Sequence, residues 1–371
     1  MTWFSEQADP LARLCREMAE RFQRGGRLVA TGASPQARSD ARHVAVEFVH
    51  PVIVGKRALP ALALTADGGP LERQVELTVE PDDMLMAFDP GGVELARERG
   101  CLVITFDPPT ADPFEAQELV ETAYHVLWEL VHVFFEHESR TTHDTGASSF
   151  LYPFLGGTAE TDVDAVLADV AASVVAKGDE ITALRAQTLA EGRDVLAAAA
   201  AELGARLDRG GRLLCLGNGG SATDAMDAVA DMRFPPHGWR PLPALDLTED
   251  TGVITAVAND IGAEAIFARQ VIAHGRDRDV LLAQSTSGNS ANVIAALAEA
   301  RGRGLATIAM VGYDGGRIAA DELADFVVIV RSEHIPRIQE AQATAWHALR
   351  SMLEDAPKGR GADDPARAGA R

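Results

Sequence analysis

The chain is short of cations, of cysteine and of aromatic side chains, and each shortage narrows what it can do. Against 55 Asp and Glu stand 34 Lys and Arg, a formal charge of -21. A surface so acidic repels polyphosphate and anionic lipid, so neither nucleic acid nor membrane is an expected partner. The cysteines Cys15, Cys101 and Cys215 are far apart, and two lie in or beside apolar runs; buried free thiols are expected rather than a disulfide, a metal site or a nucleophile. No apolar run approaches the length of a membrane span, and the start Met1-Thr2-Trp3-Phe4-Ser5-Glu6 lacks the basic stretch and apolar core of a secretory leader, which predicts a cytoplasmic protein. Both common nucleotide signatures, Gly-x-x-x-x-Gly-Lys-Ser/Thr and Gly-x-Gly-x-x-Gly, are missing, so no nucleotide cofactor is expected.

What the chain does have is two glycine- and hydroxyl-rich loops, each behind an apolar run. Arg212 to Leu216 reads as a buried strand and leads into Gly217-Asn218-Gly219-Gly220-Ser221, after which Ala222 to Val229 is a good helix former. Asp279 to Gln284 repeats the strand and leads into Ser285-Thr286-Ser287-Gly288-Asn289-Ser290, with a helix expected from about Ala291. The unpaired amides and positive dipole end of a helix start favour an anion, and glycine lets the main chain approach it. One such loop alone is an ordinary tight turn with a serine cap. The pair makes a cradle for a phosphorylated small molecule, and a sugar phosphate suits it better than ATP or NAD.

The chain also repeats itself weakly. Gly25 to Ala30 parallels Gly210 to Cys215, Leu59 to Leu64 parallels Leu242 to Leu247, and Asp83 to Phe88 parallels Asp279 to Gln284. Each copy alternates apolar strands with helical stretches, which predicts parallel sheets covered by helices. The expected units are residues 1–140, a linker at 141–165, a second unit at 166–356 and a disordered tail at 357–371. The copies diverge. Where the second has its two loops, the first has Gly32-Ala33-Ser34-Pro35-Gln36 and Asp89-Pro90-Gly91-Gly92, and an aspartate there repels phosphate.

Gly217 to Met226, Ala258-Asn259-Asp260, Ser285 to Val293 and Asp314-Gly315-Gly316 resemble the sugar isomerase (SIS) domain of bacterial phosphoheptose isomerases, over roughly residues 180 to 355. The resemblance implies two tandem SIS-type domains, each a flavodoxin-like three-layer α/β sandwich, the first degenerate. It assigns Asn218, Gly219, Gly220, Ser221, Ser285, Thr286, Ser287, Ser290 and Gln339 to substrate. It also implies a quartet on two helices: a His and a Glu four apart, and a Gln and a His eight apart. In the family the Glu and the second His move protons through an enediol, and some members bind zinc with all four. The second copy offers Asp227, Asp231, Gln339 and His347, so Asp231 is the expected base and His347 the expected acid, with metal preference moved from zinc towards Mg or Mn. The first copy keeps the family residues as His43, Glu47, Gln117 and His125. The plain reading of these is an exposed helical pair and two solvated positions; at homologous places they also suit one composite site, with second-copy loops on phosphate and groups from either copy doing chemistry. The resemblance therefore implies an aldose-ketose isomerase of sedoheptulose 7-phosphate using one divalent metal (Zn, Mn or Mg), paired as a homodimer of four domains. The alternative it leaves is a non-catalytic phosphosugar sensor or assembly protein.

Overall fold

The computed structural model describes residues 3–52, 56–136 and 163–355; most of the expected linker and the tail lie outside the described residues. The first copy runs α1 (Trp3–Gln23), β1 (Leu28–Gly32), α2 (Pro35–Val49), β2 (Ala61–Thr65), α3 (Leu71–Thr78), β3 (Met84–Ala87), α4 (Val93–Glu98), β4 (Leu102–Ile104) and α5 (Pro113–Glu136). After α6 (Val163–Asp208), the second runs β5 (Leu213–Leu216), α7 (Gly220–Arg233), β6 (Ala244–Asp246), α8 (Thr251–Asp260), α9 (Ile266–His274), β7 (Val280–Ser285), α10 (Ala291–Gly302), β8 (Ala306–Gly312), α11 (Gly316–Ala320), β9 (Phe326–Val330) and α12 (Ile335–Asp355).

The strands form two parallel sheets, ordered β2-β1-β3-β4 and β6-β5-β7-β8-β9. The repeat read from the sequence is exact in register: Leu28 pairs Ala61 and Met84, as Leu213 pairs Ala244 and Val280. Small details are duplicated too. Arg21 donates to the carbonyls of Pro81, Asp83 and Gly100, and Arg206 to those of Asp277, Asp279 and Gly304. The Arg27 amide donates to Asp83 as the Arg212 amide donates to Asp279.

Successive side chains of a strand face opposite ways, so each sheet fills two cores. Leu28, Ala30, Met84 and Met86 pack under α1, α2, α5 and the start of α6, while Val29 and Leu85 pack under α3 and α4. In the second copy Leu213, Cys215 and Leu282 face α6, α7 and α12, and Leu214, Leu281 and Ala283 face α9 and α10. Both copies are thus three-layer sandwiches. All three cysteines are buried and free.

The stretch Val163–Asp208 is a single helix of 46 residues, roughly 70 Å long. Its first turns, Val166, Val170 and Val174, belong to the first core, and Leu196, Ala199 and Leu203 to the second. A boundary at 166 therefore cuts through the element that joins the copies. Between its two halves, Lys177 pairs with Glu129 of α5, and Arg337 of α12 reaches Glu129 at 3.0 Å and Glu340 at 2.9 Å, all fully buried. This buried ion cluster ties the two copies together. The helices α2 and α7, which carry the candidate quartet residues, also pack against each other, and that contact builds the sites.

Candidate active site

The second-copy loops sit at the carboxyl ends of β5 and β7, at the starts of α7 and α10. Their tight path requires glycine at particular points. Gly219 has φ +58° and Gly288 φ +62°, and a Cβ on Gly288 would stand 2.2 Å from the carbonyl of Gly315. The loops are clasped by a reciprocal pair of side-chain amide bonds, Asn218 to Asn292 at 2.9 Å and Asn292 to Asn218 at 2.8 Å. Neither Gly219 at the start of α7 nor Ser290 at the start of α10 supplies a side-chain cap; the Val293 amide is taken by Asn292 Oδ1 at 3.0 Å, and the amides ahead of it in the loops are those a ligand can use. Ser221 and Ser285 are buried in the loop walls, and Thr286, Ser287 and Ser290 are half-buried around them.

Against this cradle stands a cluster drawn from both copies. A Cβ built on Gly220 would lie 2.0 Å from Gln339 Nε2 and 2.8 Å from His43 Nε2, so only glycine admits these side chains. His43 Nε2 is 3.3 Å from His125 Nε2, 3.4 Å from Gln339 Nε2 and 3.9 Å from Glu47 Oε1. His43 and Glu47 come from α2, His125 from α5 and Gln339 from α12. All are buried; His43 and Glu47 are 1% and 3% exposed, which overturns the reading of an exposed helical pair. His125, expected as a solvated position in the plain reading, is wholly buried as well.

The far side of each imidazole is held. His125 Nδ1 lies 2.9 Å from Glu340 Oε1, and His43 Nδ1 lies 3.2 Å from Tyr124 Oη and 3.5 Å from Asp224 Oδ1. Glu340, kept ionised by Arg337, assigns the proton of His125 to Nδ1 and turns its Nε2 lone pair towards His43. Burial, then the neighbouring His125, holds His43 well below the ordinary histidine range, and burial raises Glu47 to about 7. Glu47 Oε2 and Gln339 Oε1 have no partner among the described residues. Two converging imidazole nitrogens and two orphaned oxygens are a donor set that a divalent cation satisfies, with carboxylates behind the imidazoles as outer partners. His43, Glu47 and His125 do place ligand atoms within 4.8 Å of one another, and so do His43, Glu121 and Asp224.

The remaining members of the two quartets meet at the opposite end of the α2–α7 contact. His347 Nε2 is 3.6 Å from Asp231 Oδ2, its Nδ1 is 2.8 Å from Glu118 Oε1, and Trp346 donates to Asp231 Oδ2 at 2.9 Å. Asp227 takes a hydrogen bond from Ser39. Asp231 and Gln117 line a cavity with Ser34 and Gln36 of the first copy's loop, not with the second-copy phosphate loops. The grouping of Gln339 with Asp227, Asp231 and His347 is thus rearranged: the glutamines exchange, Gln339 going to His43 and Gln117 to Asp231. The first-copy loop is already filled, because the amides of Ala33 and Ser34 both donate to Asp89 Oδ2, at 2.6 and 2.8 Å. A carboxylate of the chain itself occupies the seat that a phosphate takes in an open loop.

Sequence reasoning missed Asp224, Tyr124, Glu118 and Glu340. A signal for the last two existed, since Gln117-Glu118 and Gln339-Glu340 are the same dipeptide at homologous places. His132, further along α5, is buried between the carbonyls of Trp128 and Arg57.

Two parallel α/β units with hydroxyl-rich loops at the strand ends, joined through a His-Glu-His-Gln cluster, define a phosphosugar-binding protein of the sugar isomerase class. The chain belongs to the SIS domain family, and within it to the phosphoheptose isomerase type. The SIS domain profile matches residues 178–312. The phosphoheptose isomerase of Rhodospirillum rubrum is 44% identical over 162 residues, 43% of this chain and 85% of that protein. That of Citrifermentans bemidjiense is 48% identical over 147 residues, 39% of this chain and 75% of that protein. The C-terminal domain of glucosamine-fructose-6-phosphate aminotransferase from Francisella tularensis is 12% identical with a TM-score of 0.51, covering 94% of this chain and 92% of that one; that likeness is one of fold, over both units.

Proposed function

We propose that the chain is an aldose-ketose isomerase of a phosphorylated heptose, interconverting sedoheptulose 7-phosphate and D-glycero-D-manno-heptose 7-phosphate at one composite site per chain. The observation that carries this reading is the approach of His43 and Gln339 to Gly220, which puts the family's proton-transfer residues from the first copy beside the phosphate cradle of the second. The catalytic pair is then Glu47 and His125, in place of Asp231 and His347. Phosphate is seated by the amides of Gly219 to Ser221 and by the hydroxyls of Ser221, Ser285, Thr286, Ser287 and Ser290.

Glu47 is the base. Its buried carboxyl, raised to about 7, is matched to removing and returning a carbon-bound proton near neutral pH. His125, fixed by Glu340 at 2.9 Å, presents Nε2 to the sugar oxygens and exchanges the oxygen-bound proton. Gln339 and His43 orient the two adjacent oxygens. His43, Glu47, His125 and Gln339 would hold a divalent metal, and two nitrogens with two oxygens favour zinc over the harder ions expected from Asp227 and Asp231. Such a metal supplies polarisation of the carbonyl and hydroxyl oxygens.

Two chains are expected to pair into a four-domain assembly, since α8 buries none of its residues and Ile261 after it is 60% exposed; light scattering checks this. The reaction itself is tested by NMR of sedoheptulose 7-phosphate with the protein in deuterium oxide, metal-stripped and with zinc, manganese or magnesium restored. Solvent deuterium at the carbon beside the carbonyl with a new aldose signal is expected. Ligand broadening without exchange would instead establish a phosphosugar sensor.

A further inference from the structure

The cavity between the first-copy loop and α7 encloses about 400 Å³, within the range of small-molecule sites. It is the pseudo-symmetric counterpart of the composite site, yet its chemistry is inverted. No Lys, Arg or His is among the residues that line it. Its anion seat is filled by Asp89. Two acids, Asp40 and Asp231, form part of the wall; both are more than nine-tenths buried, and Asp40 Oδ1 has no hydrogen-bond partner among the described residues. Facing them are Phe88, Phe106 and Phe114, the first two stacked with centroids 6.3 Å apart. A negative phosphate is excluded here twice, by the occupied seat and by the acidic wall. An unpartnered carboxylate oxygen beside aromatic faces is what an ammonium group prefers.

We propose that this cavity is a second ligand site that takes a small organic cation, with an ammonium group at Asp40 and Asp231 and an apolar body against Phe88, Phe106 and Phe114. The site is independent of the isomerase reading, because none of these residues contributes to the phosphate cradle or to the His43 cluster. Divergence of the first copy has then not simply closed a redundant sugar site. It has replaced anion recognition by cation recognition within the same framework.

The test uses the full chain and three probes of one shape: 2-phenylethylammonium, neutral 2-phenylethanol and anionic 3-phenylpropanoate, titrated by calorimetry at about pH 9, where Asp40 is ionised and the ammonium keeps its charge, with and without saturating inorganic phosphate. Expected are saturable one-to-one binding of the ammonium, at least about tenfold weaker binding of the alcohol, no binding of the carboxylate and no displacement by phosphate. Asp40→Asn should bring the ammonium and the alcohol to similar affinity, and Phe106→Leu should weaken both while unfolding behaviour stays that of the native chain. Equal affinity for ammonium and alcohol on the unmodified protein overturns the proposal, as does displacement by phosphate, failure of the ammonium to saturate at millimolar concentration, or indifference to both substitutions.

Discussion

His125 Nδ1 meets Glu340 Oε1 at 2.9 Å, a contact between the first copy and the second, and the same contact recurs with the copies exchanged as His347 to Glu118 at 2.8 Å. The two pairs mark a pseudo-twofold axis through the α5–α12 contact. They also show that each histidine is oriented by the other copy, so neither half of the chain holds a finished site. In one of the two places the loop amides of Ala33 and Ser34 are taken by Asp89, and in the proposed composite site the second-copy loops stay open.

Replacement of His43 by alanine is expected to lower kcat by on the order of 10² to 10⁴ while sedoheptulose 7-phosphate still binds within a few-fold. His347→Ala should cost far less. Steady-state kinetics with calorimetry on both variants reads this directly, and the reverse order of effects would return the chemistry to Asp231 and His347.

Glu340→Gln keeps the shape of the acceptor but weakens its hold on the His125 Nδ1 proton. A fall in kcat of roughly 10- to 100-fold with KM little changed is expected, together with a comparable loss of zinc affinity. Competition with a chromophoric chelator supplies the second readout, which a merely structural loss would not confine to the metal.

Gly220→Ala introduces a methyl 2.0 Å from Gln339 Nε2 and 2.8 Å from His43 Nε2. Side chains give way more easily than backbone, so the fold should survive while turnover collapses. Gly288→Ala forces a φ of +62° on alanine and a contact of 2.2 Å with the Gly315 carbonyl, for which a stability loss of about 1–3 kcal/mol is expected. Denaturant titration separates the two variants.

Burial raises Asp40 from 3.8 to about 8 and Glu47 from 4.5 to about 7, and raises Asp224 and Asp227 well above the usual carboxylate range. Each of these groups binds its proton more tightly folded than unfolded, so its contribution is whole below about pH 4, and for Asp40 and Glu47 it is lost as pH rises towards about 8. Glu129, held well below 4.5 between Lys177 and Arg337 despite its burial, acts oppositely below that window, and His43, His132 and His334, held by burial below 6.5, oppose that loss at about pH 6 to 7 but are outnumbered by the raised carboxyls. The metal-free protein should therefore melt lower at about pH 8 than at about pH 6, and zinc should raise the melting temperature more at the higher pH. Scanning calorimetry at the two pH values, with and without metal, is the measurement.

Glu129→Ala removes the buried acid shared by Lys177 and Arg337, taking from Lys177 its buried carboxylate contact and leaving Arg337 with Glu340 alone of its two buried carboxylate contacts. A loss of roughly 3–5 kcal/mol is expected, and because α5, α6 and α12 meet there it should weaken both copies together. A single cooperative transition shifted downward, in place of one copy melting first, is the outcome to look for by circular dichroism.

Much of this was legible in the residues themselves. The parallel strands follow from short apolar runs, and the duplication follows from aligned Gly-Gly-Arg-Leu and Leu-Pro-Ala-Leu segments, because strand register is fixed by which side chains face each core. The anion cradle is local too, a matter of glycine, hydroxyls and a helix start within a few residues. The loss of phosphate binding in the first copy could be inferred from Asp89, although its mode could not: the carboxylate is bonded by the loop's own amides.

The partnership of the site residues was decided only in three dimensions. A spacing of four on a helix places His43 with Glu47, and Asp227 with Asp231, but it says nothing about which loop they face. That depends on how α2 packs against α7, and α5 against α12, contacts that join positions as far apart as 188 residues for Ser39 and Asp227 and 215 for His125 and Glu340. The packing exchanges Gln339 with Gln117 and brings His43 to Gly220, so two incomplete copies yield one complete set of groups. The residue types, the loops and the repeat are thus properties of the sequence; the pairing of one copy's loops with the other's acids and bases is set by burial of the helices between the sheets.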